Sequence, residues 1–380
     1  MVANPFIPEK LVGRQAELYQ VSAVLAADGD LLIAGVPGTG RRRLVRSAAH
    51  AVGARVLEID CLRATDSRRF LNLLMEGILL AFDDPAEIAI IRRWSADQPF
   101  DLKTDDQGCP RLTWQASLAD AWNLFKVLLT LPQAIAEELN CRVVILFQNF
   151  PHIRSWDRSE KWESYLRQEI QQQSRVSYAL IATVAESWAQ QSNMQVVFLG
   201  PIKRDDLQPW IAEVTLSQGL EFDSEAMDVF LDSIQGNLGD AIALLHRIWL
   251  DVQVSNPFKG QVNKVSLDNA YSLTNCQRYS IQASQIHDSA LALVEDLSLT
   301  FESLLLLLPA SQVRVLESLA LDPTDSPHSR EYIQKHHLSR GGGLQGALAS
   351  LQQKGLVYGP EYGYRITMPL LALWLKQKLA

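Results

Sequence analysis

Gly35-Val36-Pro37-Gly38-Thr39-Gly40-Arg41-Arg42 decides the reading of this chain. It follows a short apolar run at residues 31–34 and opens an amphipathic run at residues 42–52. A glycine-rich turn between a buried strand and a helix curls its backbone so that successive N–H groups converge on one point. The positive end of the helix falls on the same point, so the expected ligand is a phosphate.

Outward from that turn, apolar runs at 55–59, 143–147, 177–183 and 196–199 alternate with amphipathic runs at 68–82, 118–139 and 161–173. Continuous apolar strands separated by helices predict an α/β domain whose parallel sheet is covered on both faces. Residues 94–113, rich in Asp, Gln, Pro and Gly, read as an exposed insertion or loop. After Gly200-Pro201 the strand signal fades, and helices are expected at 205–213, 224–234, 239–252 and 267–273, followed by a polar stretch at 274–288 and a long apolar helix ending near Pro309. Helical runs at 310–321, 329–337 and 344–354 then precede Val357-Tyr358, a turn at Gly359-Pro360 and Tyr364-Arg365-Ile366. Three helices and a two-stranded wing make a winged helix, with Gly341-Gly342-Gly343 in the turn before its third helix. The expected domains are therefore 1–200, 201–305 and 306–380, which suits a chain of 380 residues. There is no internal repeat of fixed period and no low-complexity tract.

Composition narrows the function. With 47% hydrophobic and 21% charged residues the chain buries a real core. No apolar run reaches membrane-spanning length, and the first ten residues lack a secretory pattern. Cys61, Cys109, Cys141 and Cys276 show no metal-ligand spacing, and a reducing cytoplasm is the simple expectation. A net charge of −8 argues against a general nucleic-acid binder. The charge is uneven, however: residues 306–380 hold eight Lys/Arg and five Asp/Glu, against 27 and 38 before them.

The chemistry of the turn departs from the usual pattern. A phosphate loop has Lys and then Ser or Thr where this chain has Arg41 and Arg42. Arg41 keeps a charge for phosphate but presents a planar fork instead of a point charge. Arg42 has no acceptor with which to ligate magnesium. The apolar strand at 143–147 should end in acidic residues that hold the hydrated metal and polarise water, and it ends in Gln148-Asn149. Both halves of the metal site are lost together, so hydrolysis is not expected. Glu58 and Asp60 close another strand and could approach the phosphate, but a surface position for Glu58 and a turn cap for Asp60 are the plainer reading.

These residues resemble the archaeal-ATPase and Orc1/Cdc6-like branch of the AAA+/STAND P-loop ATPases, over nearly the whole chain. The resemblance makes residues 35–42 the Walker A loop and 147–149 a degenerate Walker B. It implies that residues 11–18, with Val12, Gly13 and Arg14, help form an adenine pocket, and that Thr183 senses the γ-phosphate. Residues 201–210 resemble the passage into the lid, and 236–240 the lid turn that often precedes a sensing Arg; here Ile242 follows instead. No Lys or Arg stands between Val184 and Ile202, where ring-forming relatives place an arginine finger. The implied function is a switch that binds ATP or ADP, with little or no hydrolysis. The alternative is a non-enzymatic pseudo-ATPase scaffold that works through a protein partner or weak DNA binding.

The DNA reading has few cations behind it. The third helix of the winged helix carries Lys354 near its end and Arg340 before the glycines, with Arg365 on the wing. Gln345, Ser350, Gln352 and Gln353 could touch bases, but phosphate contacts dominate affinity. Packing against the rest of the chain or a partner is the expectation, with 368–379 as a docking helix. His336-His337 point in different directions and make a poor metal pair.

Overall fold

The structure is a computed structural model and describes residues 4–114, 120–170, 174–255, 278–339 and 341–379. It divides into two compact units, one of residues 14–35 and 41–199, the other of residues 1–13, 36–40 and 200–380.

The first unit is a sheet covered by helices. Its elements are α1 (Gln15–Ala26), β1 (Leu31–Gly35), α2 (Arg41–Ala51), β2 (Ala54–Asp60), α3 (Ser67–Ala81), α4 (Pro85–Ala96), β3 (Phe100–Thr104), β4 (Pro110–Trp114), α5 (Ala121–Leu128), α6 (Thr130–Glu138), β5 (Arg142–Gln148), α7 (Lys161–Glu169), β6 (Val176–Ala182), α8 (Ser187–Gln191) and β7 (Gln195–Leu199). Five parallel strands run in the order β2-β5-β6-β1-β7. Each strand expected from its apolar run is present within one residue at either end. β1 pairs with β6 and β7, while β2 lies at an edge, so the connection after β1 crosses two strands. That places the turn after β1 where open α/β sheets gather ligands, at the carboxyl ends of the strands.

Local chemistry fixes the helices. Asp66 accepts from Arg69 N–H at 2.8 Å to start α3, whose Phe70, Leu71, Leu74 and Ile78 form one buried stripe. Two expectations are corrected. Residues 94–113 are not a loop: α4 runs to Ala96, and β3 and β4 form an antiparallel hairpin that buries Phe100 and Leu112. The polar turn at Asp105–Gly108 masked a hairpin whose alternation covers only five residues per strand. The helix expected at 118–139 is two helices, broken at Leu129, which caps both. Pro132 sits in the first turn of the second, where its missing N–H is tolerated.

The second unit contains α9 (Arg204–Ser217), β8 (Leu220–Phe222), α10 (Ser224–Ile234), α11 (Leu238–Ser255), β9 (Tyr279–Ile281), α12 (Ala283–Asp296), α13 (Ser298–Leu306), α14 (Ala310–Leu321), α15 (Arg330–Lys335), α16 (Gly342–Gln353) and α17 (Pro369–Leu379). A lid core joins Phe6, Val12, Ile211, Phe230, Leu244 and Ile286. A winged-helix core joins Leu316, Leu319, Leu348, Leu351, Val357, Ile366 and Trp374. The wing is a pair of antiparallel bridges, Val357 with Ile366 and Thr324 with Tyr364. Part of the expected polar stretch 274–288 is ordered as β9 and the first turns of α12, which Gln282 and Gln285 begin by bonding each other's backbone. The long apolar helix is broken at Leu297 into α12 and α13, and α16 starts at Gly342, inside the glycine run. The helix expected at 267–273, Cys276 and Arg340 lie outside the described residues.

Phe70 is fully buried in the sheet unit, with the rings of Phe125, Phe147, Trp156 and Trp162 centred 5.3 to 6.2 Å from its own. Phe70→Ala leaves a cavity among four rigid rings that cannot collapse into it. Urea unfolding of the variant should show a loss of about 3–5 kcal/mol. A loss below ~1 kcal/mol would show that this cluster does not hold the sheet to its helices.

Candidate phosphate-binding site

Within the sheet unit, the strand ends carry the site. Gly35 ends β1, Ala182 ends β6 and is followed by Thr183, Gln148-Asn149 end β5, and Glu58 and Asp60 end β2. Arg41 opens α2 and turns its Nη1 back over the sheet, donating to Gly35 O at 2.8 Å and to Ala182 O at 3.2 Å. One guanidinium thus ties the ends of β1 and β6. Burial pulls its pKa down to about 10, so it still carries its charge at neutral pH.

Arg42 points elsewhere. Its Nε and Nη2 donate to Glu58 Oε2 at 3.0 and 2.5 Å, and the bond to Glu58 pushes its pKa further up. Arg46 Nε lies 3.3 Å from Glu58 Oε1, and Gln148 Nε2 donates to Oε2 at 3.3 Å. Asn149, in the left-handed region at φ 52°, donates through Nδ2 to Asp60 Oδ1 at 3.0 Å. The same oxygen accepts from Leu62 N–H at 3.1 Å. Glu58 is therefore the centre of a polar network and only 19% exposed, not a plain surface residue. Asp60 does cap the following turn, as expected.

This arrangement does not fit magnesium. At the position of the metal-ligating hydroxyl stands a cation, at the acidic strand end stand two amides, and the nearest carboxylates are bound by guanidiniums and amides. Among the described residues no group of three His, Cys, Asp or Glu could hold a metal.

Within the second unit lies the loop itself, residues 36–40. Gly38 and Gly40 take φ of 87° and 84°, which side chains with a Cβ rarely adopt. Thr39 is buried and its hydroxyl donates to Val36 O at 2.8 Å, closing the turn. Among the described residues the N–H groups of Gly38 and Gly40 donate to no backbone carbonyl. A Cβ added at Gly40 would meet nothing within 4 Å, whereas one at Gly38 would collide with Asn237 Oδ1. Leu238 N–H donates to Gly38 O at 3.1 Å, so the start of α11 is bonded to the loop. Asn237 Oδ1 also accepts from Asp240 N–H at 3.1 Å, capping the helix, while its Nδ2 donates to Thr367 O at 2.9 Å. Asp240 Oδ2 accepts from Leu370 N–H, in the first turn of α17, at 3.1 Å.

Val12 is in the lid core and Gly13 packs so closely on Asp206 that a Cβ there would clash. Arg14 starts α1 in the sheet unit and pairs with Glu17 at 2.9 Å. Of the winged-helix cations, Lys354 donates to Gln312 Oε1 at 2.8 Å and Arg365 lies over the Tyr358 ring at 5.4 Å, so both are engaged within the module. Asn237 and Asp240 lie in the lid turn 236–240 that the resemblance marked, but their bonds to the segment 367–370 were not foreseen. The available signal was an Asn followed three residues later by an acidic residue, a helix-start pattern.

A family model described as "Probable winged helix domain" matches residues 299–377. Among solved structures, a Walker-type ATPase of Pyrococcus abyssi is similar at a TM-score of 0.64 and 12% identity, over 98% of this chain and 99% of that one. The ORC2 protein of Aeropyrum pernix, solved in ADPNP and ADP complexes, is similar at 0.50 and 13%, over 99% and 98%. The chain shares its overall fold with these two proteins and carries a C-terminal winged helix. No curated protein matches the sequence. No described helix is long and apolar enough to cross a membrane.

Asp240 gives a test of the lid's electrostatics. Burial pushes its carboxyl up to about 6, against which the Leu370 N–H bond works. The unfolded chain ionises this group first, near pH 4, so its contribution to stability falls as pH rises from about 4 to 6. Asp240→Asn keeps an oxygen for Leu370 N–H and cannot ionise. Urea unfolding should find it close to wild type at pH 4 and about 1–3 kcal/mol more stable at pH 7.5. An equal difference at both pH values would exclude the buried charge as its cause.

Proposed function

We propose that this protein is a nucleotide-dependent switch that binds ATP or ADP and turns it over little or not at all. The observation that carries the reading is the loop: two left-handed glycines whose N–H groups donate to no backbone carbonyl among the described residues, open space beside Gly40, and the Arg41 cation next in the chain. Such a turn offers converging donors and a charge to a di- or triphosphate. Val12, Gly13 and Arg14 are the candidates for the base, and Thr183 for the terminal phosphate. The engaged state of Arg42, Gln148 and Asn149 supports binding without a catalytic metal. No water-polarising carboxylate is left at the end of β5.

A second reading, a scaffold without nucleotide, draws on the winged helix. The exposed positions of α16 are largely Gly342, Gly343, Gln345, Gly346, Ala349 and Gln353, which offer no charge to a phosphate backbone. Leu299, Leu306 and Leu307 are 78–86% exposed on and beside α13. That surface favours a protein partner over DNA.

Equilibrium binding of fluorescent ATP and ADP, with magnesium and with EDTA, separates these readings. The switch should bind both with affinities that change less than about threefold on removing magnesium. Arg41→Ala should weaken binding by about tenfold or more, the worth of a charge-assisted bond to phosphate. No binding at millimolar nucleotide would leave the scaffold. Magnesium-dependent phosphate release that disappears with Glu58→Gln would overturn the absence of hydrolysis.

A further inference from the structure

The start of α11 holds two partners at once. On one side Leu238 N–H grips Gly38 O and Asn237 packs on the Cα of Gly38. On the other, Asn237 Nδ2 holds Thr367 O and Asp240 Oδ2 holds Leu370 N–H. Asn237 is only 3% exposed and Thr367 only 1%, so the bond between them is shielded from water. Thr367 is itself pinned to the wing, its hydroxyl donating to Gly355 O at 2.6 Å and its N–H to Leu356 O at 3.0 Å. The amide of Asn237 spends its acceptor on its own helix and a donor on the winged helix.

The loop side has a geometric consequence. A trans peptide unit points its C=O and its N–H in opposite directions, and no described peptide here is cis. Fixing Gly38 O on Leu238 N–H therefore fixes the plane of the peptide that follows Gly38 within the loop. The lid helix sets that part of the loop's backbone, and the winged helix holds the lid helix in place.

We propose that Asn237 is a coupling residue, through which occupation of the phosphate loop and the order of the winged helix's Thr367–Leu370 segment stabilise each other. This rests on the nucleotide reading only for the identity of the occupant. Coupling of this kind is reciprocal: whatever firms the loop firms Thr367 to Leu370, and loosening that segment weakens the loop. It needs no change of fold, only loss or gain of two hydrogen bonds at one helix start.

The test uses the full chain and two variants. Asn237→Ser keeps a good helix cap and loses the reach to Thr367 O; Asn237→Asp keeps the acceptor for Asp240 N–H and loses the donor. Hydrogen–deuterium exchange without nucleotide is measured first, with thermal melts to verify that both variants fold. Exchange should rise about fivefold or more in residues 36–40 as well as in 367–371. A rise confined to 367–371 overturns the coupling. ADP is then added. In wild type it should slow exchange at 367–371, and in both variants that slowing should vanish and affinity fall by about fivefold or more. Affinity within twofold of wild type in both variants overturns the proposal. If ADP fails to bind wild type, the nucleotide reading falls, and the coupling is decided by the exchange measured without it.

Discussion

A parallel strand that ends where a helix begins leaves a turn between them, and among the described residues the N–H groups of Gly38 and Gly40 in that turn donate to no backbone carbonyl. Gly38 and Gly40 take left-handed conformations to make the turn, and the carbonyl of Gly38 is fixed by Leu238 N–H. Arg41 brings a charge to the end of the turn while tying β1 to β6 through Gly35 O and Ala182 O. The planar guanidinium suits this bracing role, since one nitrogen reaches the ends of both strands while the charge stays spread over the group.

The polar residues at the other strand ends of the sheet are engaged with one another. Where a hydroxyl and an acidic strand end would hold magnesium, Arg42 and Gln148 converge on Glu58, and Asn149 bonds Asp60. The charges now balance among side chains: Glu58 meets two guanidiniums, and Arg42 is held as a firm cation by the bond it makes. A buried divalent ion would have to displace that network and face Arg42 as well, an electrostatic cost with no compensating ligand. Arg42, Gln148 and Asn149 thus have a structural use at the strand ends.

In the second unit the lid helix start plays a comparable role by hydrogen bonds. Asn237 and Asp240 are backbone-capping residues of an ordinary type, but the backbones they cap belong to α11 and to the winged helix. That use makes the winged helix's C-terminal segment part of the loop's support. It also accounts for the raised carboxyl of Asp240, which is placed for a hydrogen bond and pays for it in solvation.

Sequence alone determined the elements whose signals are local. Continuous apolar runs gave the five parallel strands, because a strand covered on both faces has no polar positions to alternate. Gly35 to Gly40 marked the glycine turn between β1 and α2, because Gly38 and Gly40 take positive φ there, and side-chain chemistry alone says that Arg42 offers no acceptor to a metal. Tertiary structure decided the remainder. The hairpin of β3 and β4 was hidden because each strand is only five residues long, and the break at Leu129 because helix periodicity runs through it. Glu58 reads as a surface residue until β2 lies beside β5 and α2 delivers Arg42 and Arg46. Asn237 reads as a helix cap until the chain, 130 residues later, brings Thr367 O within 2.9 Å. Bonds between segments distant in sequence leave no periodic trace, so only the folded chain reveals them.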